Sequence, residues 1–109
     1  MAAFETVRLT GRSGASYPFT VFPYGTPLAA VSGVYAVLRD ERTTWSVLYI
    51  GQTGDLSERF DNHHHAADFA WHRASHLAAI GASTEEQRLA IEADLVQHHA
   101  PPINQTVHG

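Results

Sequence analysis

The chain has 109 residues, 44% of them apolar, with seven arginines, no lysine, no cysteine and a formal net charge of -4. That length holds one domain with a modest core. The missing cysteines exclude a disulfide framework, a thiolate metal site and a cysteine nucleophile, and the acidic balance excludes a broad basic surface for holding nucleic acid.

The opening "MAAFETVRLTGRSG" has no apolar run of signal-peptide length, and no segment approaches the ~20 apolar residues of a membrane span. A cytoplasmic protein without a membrane partner is expected. Residues 5–22 are predicted to form a hairpin. Val7 and Leu9 share one face of its first strand. Tyr17, Phe19 and Val21 share one face of its second, at the period of two that marks a half-buried strand. "GRSGAS" supplies the turn, and Pro18 points to a sheet edge. "PYGTPLAA" then leads into the main body, which divides the chain into a hairpin extension at 1–28 and a domain at 29–109.

A second hairpin is predicted over residues 33–51. "GVYAVLR" and "SVLYIGQ" are rich in β-branched and aromatic residues and flank "DERTT". Pairing Tyr35 with Tyr49 leaves a three-residue loop and puts both rings on one face. Residues 55–66 are predicted as a helix, with Asp55 as N-cap and Glu58 completing a capping-box pattern. Leu56 and Phe60 form its apolar stripe, and Arg59 and His63 stand at its edge, one turn apart. "DFAWHRAS" accommodates a short helix and a turn, and "HLAAIGA" is a weak strand candidate. "STEEQRLAIEADLVQHHAPP" is the clearest element. Ser83 and Glu86 form a capping box, and Pro101 and Pro102 stop the helix.

Glu92 is the most informative residue of that last helix. On a helical wheel the apolar arc runs from Ile91 through Leu95, Val96 and Leu89 to Ala93, with Glu92 in its middle and Asp94 opposite. A carboxylate facing a core is costly unless it is paired or holds a metal. A buried Glu-Arg pair, a helix rotated so that Glu92 reaches water, and a metal ligand all satisfy this pattern. The run His63-His64-His65 makes a poor zinc site, because consecutive helical side chains diverge by about 100°. Helical zinc ligands recur at i,i+4, as His72 and His76 do here. Taken singly, Tyr35, Tyr49, Arg59 and Asn104 are ordinary strand, helix and turn residues.

Taken together, "GVY" at 33–35, "YIG" at 49–51, Arg59, His63, Glu92 and the Asn104 of "PPIN" resemble the GIY-YIG nuclease family. The resemblance spans roughly residues 32–105. It implies an α+β fold: a small central three-stranded antiparallel sheet flanked by helices, to which the N-terminal hairpin is an addition. It also implies Mg²⁺- or Mn²⁺-dependent hydrolysis of phosphodiester bonds in nucleic acid, DNA in the first instance. By the same resemblance Tyr35, Tyr49, Arg59, His63 and Glu92 would be catalytic, with Glu92 as the metal ligand. Gly51, Gln52 and Asn104 would contact substrate, Asn104 chiefly as a brace. Glu92 would stand beside Arg59 and both tyrosines on one concave face.

Three features depart from the family pattern. Gln52 stands where many members carry a lysine, the turn between the two tyrosines is long, and no added DNA-binding domain is legible. These departures and the absence of lysine define a second reading, a non-catalytic member kept as a binding module for nucleic acid or protein. A protein partner supplying the missing basic surface, and a monomer or weak dimer, are the expected associations. A histidine-rich metal-binding protein is a third reading.

Overall fold

Apolar residues alternate along both halves of the N-terminal segment, and this builds the first hairpin. The computed structural model describes residues 5–60 and 65–105. The hairpin consists of β1 (Glu5–Thr10) and β2 (Ser16–Pro23), with Leu9, Phe19 and Val21 buried on one face. β2 continues into the sheet by pairing its second half, Thr20–Pro23, with β5 (His76–Gly81). Pro18 lies outside that pairing, so its missing N–H deprives β5 of no hydrogen bond.

The second hairpin is β3 (Gly33–Asp40) with β4 (Trp45–Thr53), and β5 also lines β3. Among the described residues the strands form one five-stranded antiparallel sheet in the order β1-β2-β5-β3-β4, curled into a half-barrel. The class remains α+β, but the expected three-stranded sheet flanked by helices is corrected. The hairpin is not an appendage, because β2 bonds to the side of β5 that β3 leaves open. "HLAAIG" reads as a weak strand because its alanines give little β-branched signal. It is nonetheless the inner strand that joins the two hairpins.

Both faces of β3 are covered, so Gly33–Leu38 is buried throughout. This explains its unbroken apolar run. Val34, Ala36 and Leu38 look toward α2 (Glu85–His99) and join Phe19, Ile50, Ile91 and Leu95 in one core. Tyr35 and Val37 belong to a second core with Leu48, Leu56, Phe69, Leu77 and Ile103. In the hairpin, Tyr35 pairs with Gly51 and Tyr49 with Val37, and the register slips between Val37 and Leu38. The expected Tyr35–Tyr49 pairing is therefore two residues off. A two-residue shift preserves side-chain parity, so the rings still share a face, with centroids 6.0 Å apart. The slip is a bulge, which puts Leu48 in the same core cluster that Tyr49 packs against.

Over residues 55–60 the predicted helix of 55–66 is not what forms, and its residues 61–64 lie outside the described residues. Residues 56–60 are turns, closed by long bonds from Glu58 N to Asp55 O and Arg59 N to Leu56 O, both 3.4 Å. Asp55 Oδ1 accepts from Ser57 N (2.9 Å) and Ser57 Oγ (2.6 Å), which rewards a local turn over continued helix. A short helix, α1 (Ala66–Trp71), follows. Among the described residues no helix is long and apolar enough to cross a membrane.

α2 begins at Thr84, whose hydroxyl accepts from Gln87 N at 3.1 Å. The cap is thus one residue after the predicted Ser83. The helix ends at Ala100 in the left-handed region, ahead of Pro101 and Pro102. Its buried face is Arg88, Ile91 and Leu95, while Leu89 is 45% exposed. The helix is therefore rotated away from the predicted arc. Asp94, expected on the solvent side, accepts from Ser13 N (2.8 Å), Ser13 Oγ (2.7 Å) and Tyr17 Oη (2.8 Å). A Cβ on Gly11 would overlap the Asp94 carboxylate. This latch fixes the N-terminal hairpin to the helix that carries Glu92.

Candidate active site

The second core opens toward solvent where β3, β4 and the turn at 56–60 meet. Tyr35 is fully buried there, and its ring lies across Gly51: a Cβ on Gly51 would overlap Tyr35 Oη and Cζ. The glycine of "YIG" is thus the space in which the tyrosine of "GVY" sits. Tyr35 packs edge-on against Phe60, with centroids 5.0 Å apart. Tyr35 Oη accepts from Arg59 Nε at 3.1 Å, and the Arg59 guanidinium carbon lies 5.8 Å from the Tyr35 ring centroid. Among the described residues Arg59 forms no ion pair and no other side-chain hydrogen bond. Its two terminal nitrogens remain as a fork, the geometry that fits phosphate in a bidentate way.

Tyr49 lies beside Tyr35 and packs on His65 (4.9 Å) and Phe69 (5.6 Å). Burial is the main influence on both phenols. It raises Tyr35 well above the ordinary value near 10, with Tyr49 adding to the rise and Arg59 opposing it. Tyr49 is raised by burial against the opposing Arg59 and Tyr35, with Glu92 adding a smaller rise. Both are therefore protonated hydrogen-bond donors at neutral pH.

Glu92 reaches the site from the other side of the sheet. Three successive outward positions on β4 are taken by three different partners. Leu48 O accepts from Ile103 N (3.1 Å). Ile50 N donates to Asn104 Oδ1 (2.8 Å), and Ile50 O accepts from Asn104 Nδ2 (2.9 Å). The Gln52 N–H supports the Glu92 carboxylate. Glu92 is thus at the rim of β4 rather than in the core. Burial raises its carboxyl above the ordinary range, with the Gln52 N–H opposing. Among the described residues it has no ion-pair partner. The buried Glu-Arg pair is absent. Glu92 is carried by α2, which packs on the opposite core from the tyrosines, and its charge is felt at Tyr49.

The structure thus brings together Tyr35, Tyr49, Arg59 and Gly51, and sets Glu92 and Gln52 next to them along β4. Asn104 has both ends of its amide engaged by Ile50, so it braces the strand rather than offering groups to substrate. Gln52 is also committed: its Oε1 accepts from Arg88 Nε at 3.0 Å. His63 lies outside the described residues. Two neighbours escaped the sequence reading. His65 is buried against Tyr49, with Nδ1 3.1 Å from Asp68 Oδ2, and the His-x-x-Asp spacing was its only signal. Arg88 is 9% exposed and stands four residues before Glu92, a cation on the face that packs on the sheet.

Among the described residues no group of three His, Cys, Asp or Glu side chains could hold a metal ion. A half-buried carboxylate without a cation partner fits instead an ion that keeps most of its waters, which is the habit of Mg²⁺. No protein-family model, curated protein or solved structure matches the chain.

Proposed function

We propose that the chain is a small GIY-YIG-like nuclease that hydrolyses phosphodiester bonds in nucleic acid, with DNA as the first substrate to test. The observation that carries this reading is the Arg59 guanidinium. Its Nε is fixed on Tyr35 Oη, its fork has no carboxylate partner among the described residues, and it stands in a chain with few cations. The reading also rests on the resemblance of "GVY", "YIG", Arg59, Glu92 and Asn104 to the family pattern.

In this reading Arg59 grips two phosphate oxygens and stabilises the negative charge that grows on them during attack. Tyr35, held protonated by its burial, positions Arg59 through its hydroxyl and relays a proton through its hydrogen bond with Tyr49, rather than acting as a base. Tyr49 orients a second phosphoryl oxygen. Glu92 would hold a hydrated Mg²⁺ or Mn²⁺ ion, which would supply Lewis-acid polarisation and a more acidic water. Water adds to phosphorus and gives up a proton, the bond to the leaving oxygen breaks, and that oxygen takes up a proton, so that water is split across the broken bond. Asn104 and Gly51 keep β4 and the Tyr35 ring in register. A cytoplasmic location and a partner contributing basic surface belong to the same reading.

A second reading keeps the fold as a nucleic-acid or protein binding module. The commitment of Gln52 to Arg88, at a position where many family members have a lysine, favours it. Incubation with nicked, branched, single-stranded and duplex DNA at low salt separates the two. The nuclease reading expects cleavage with Mg²⁺ or Mn²⁺ that a chelator stops. Binding without cleavage under all these conditions supports the module.

A further inference from the structure

A cavity of about 250 Å³ lies between the loop that leaves β2 and the turn at 56–60. Tyr24, Thr26, Leu28, Leu56, Ser57 and Phe60 line it. The volume is below the ~300–1,000 Å³ of sites for drug-sized ligands, and suits one planar ring system. Phe60 belongs both to this cavity and to the Tyr35 contact described above, and Arg59 is its neighbour in the chain. A group held in the cavity is thus one side chain away from a phosphate held at Arg59.

The walls say what kind of group fits. None of the described lining residues is charged, so among them the cavity offers no cation to a phosphate or carboxylate. Tyr24 and Phe60 are aromatic, and Tyr24 is 42% exposed with no partner for its hydroxyl among the described residues. Ser57 Oγ donates to Asp55 Oδ1 (2.6 Å) and Thr26 Oγ1 to Pro23 O (2.6 Å), which leaves both oxygens as acceptors. One free donor, two acceptors and aromatic walls match the edge and faces of a nucleobase.

The charge balance points the same way. A chain of net charge -4 without lysine has little counterion-release affinity for a phosphate backbone. Stacking of bases on aromatic rings is the alternative source. A base inside a duplex is paired and stacked and must be extruded before it enters a pocket.

Resting on the nuclease reading above, we propose that this cavity receives an unpaired nucleobase adjoining the phosphate held at Arg59, so that the substrate is single-stranded or locally unpaired nucleic acid. The test is fluorescence anisotropy of the wild-type protein in a chelator, with labelled (dT)12 and with a 12-mer of abasic residues of equal charge. The abasic ligand is expected to bind on the order of tenfold more weakly. Tyr24→Ala and Ser57→Trp, both at exposed positions, are expected to erase that difference, whereas Arg59→Ala weakens both ligands alike. Equal affinity for the two ligands, no binding of either, or an unchanged preference in both cavity variants overturns the proposal. Cleavage that is indifferent to unpaired bases overturns the cavity while sparing the nuclease. A base preference in a protein that cuts nothing with Mg²⁺ or Mn²⁺ does the reverse.

Discussion

Gly51→Ala isolates the contact on which the site is built. Gly51 does not hold a positive φ, so backbone strain plays no part in the substitution. What changes is space: the new Cβ would overlap Tyr35 Oη and Cζ. Tyr35 is fully buried and confined by Phe60 and Tyr49, so its ring cannot swing clear without disturbing the second core. Overpacking of this kind costs about 1–3 kcal/mol, and each kcal/mol lowers Tm by about 4–8 °C in a domain near this size. The relief must also move Tyr35 Oη relative to Arg59 Nε. Gly54→Ala is the control, since nothing lies within 4 Å of a Cβ there; it should be neutral, or stabilising by up to ~1 kcal/mol through the unfolded chain. Urea denaturation of wild type, both variants and the Gly51→Ala/Tyr35→Phe double variant tests the reasoning. Removing Oη should recover part of the loss, a coupling that the double-mutant cycle reads directly. A Gly51→Ala protein within ~0.5 kcal/mol of the Gly54→Ala protein would refute it.

Other outcomes follow from the same contacts. Asn104→Ala strips both partners from the Ile50 peptide and should cost about 1–3 kcal/mol, with faster hydrogen exchange at the Ile50 amide; an unchanged exchange rate would remove Asn104 from its bracing role. Asp94 is held below the ordinary carboxylate range by its hydrogen bonds from Ser13 and Tyr17. Its contribution is therefore full above the unfolded value near 3.9 and is lost as pH falls through the lower folded value. The Tm gap between wild type and Asp94→Ala should be present at pH 7 and close in strong acid; a pH-independent gap contradicts the latch. Glu92 has the opposite sign. Burial raises its folded value, so its ionisation opposes folding fully above that value and not at all below the unfolded value near 4.3. Glu92→Gln should therefore be more stable than wild type at pH 7 and equal to it in acid. Added Mg²⁺ should raise Tm for wild type only, and a Gln variant that responds equally to Mg²⁺ would place the ion elsewhere.

Legibility from the sequence differed between the strands and the rest. The period-two patterns of 5–22 and 33–51 located four strands, because a half-buried or fully covered strand writes its apolar residues in order. The register of the second hairpin was missed by two residues, since a bulge leaves no mark in composition. β5 was underweighted because alanines at 78 and 79 fit a crowded inner strand without the usual β-branched signal. The three-stranded sheet came from the family resemblance, which left the N-terminal hairpin as an addition, whereas β2 pairs with β5 and makes the hairpin part of one sheet. The start of the helix expected at 55–66 is a turn because Asp55 and Ser57 satisfy each other locally, a competition that helix-cap patterns do not reveal. In the site, the residues singled out by the glycine and tyrosine motifs, Tyr35, Tyr49, Arg59 and Gly51, lie next to one another. The place of Glu92 depended on the rotation of α2. Arg88 and Asp94 set that rotation through contacts with Gln52 and the β1–β2 turn, distant in sequence and silent in the helix's own pattern.

The central claim is that Arg59 and Glu92 serve one phosphodiester-cleaving site. The most direct measurement is the single-turnover cleavage rate of a labelled single-stranded or branched DNA with Mn²⁺. Wild type, Arg59→Ala and Glu92→Ala would be purified identically and compared. The expected result is cleavage by wild type that falls by at least ~10²-fold in each variant, the scale for loss of a group stabilising transition-state charge, with circular dichroism showing all three folded. Inert wild type, or equal cutting by all three proteins, would contradict it.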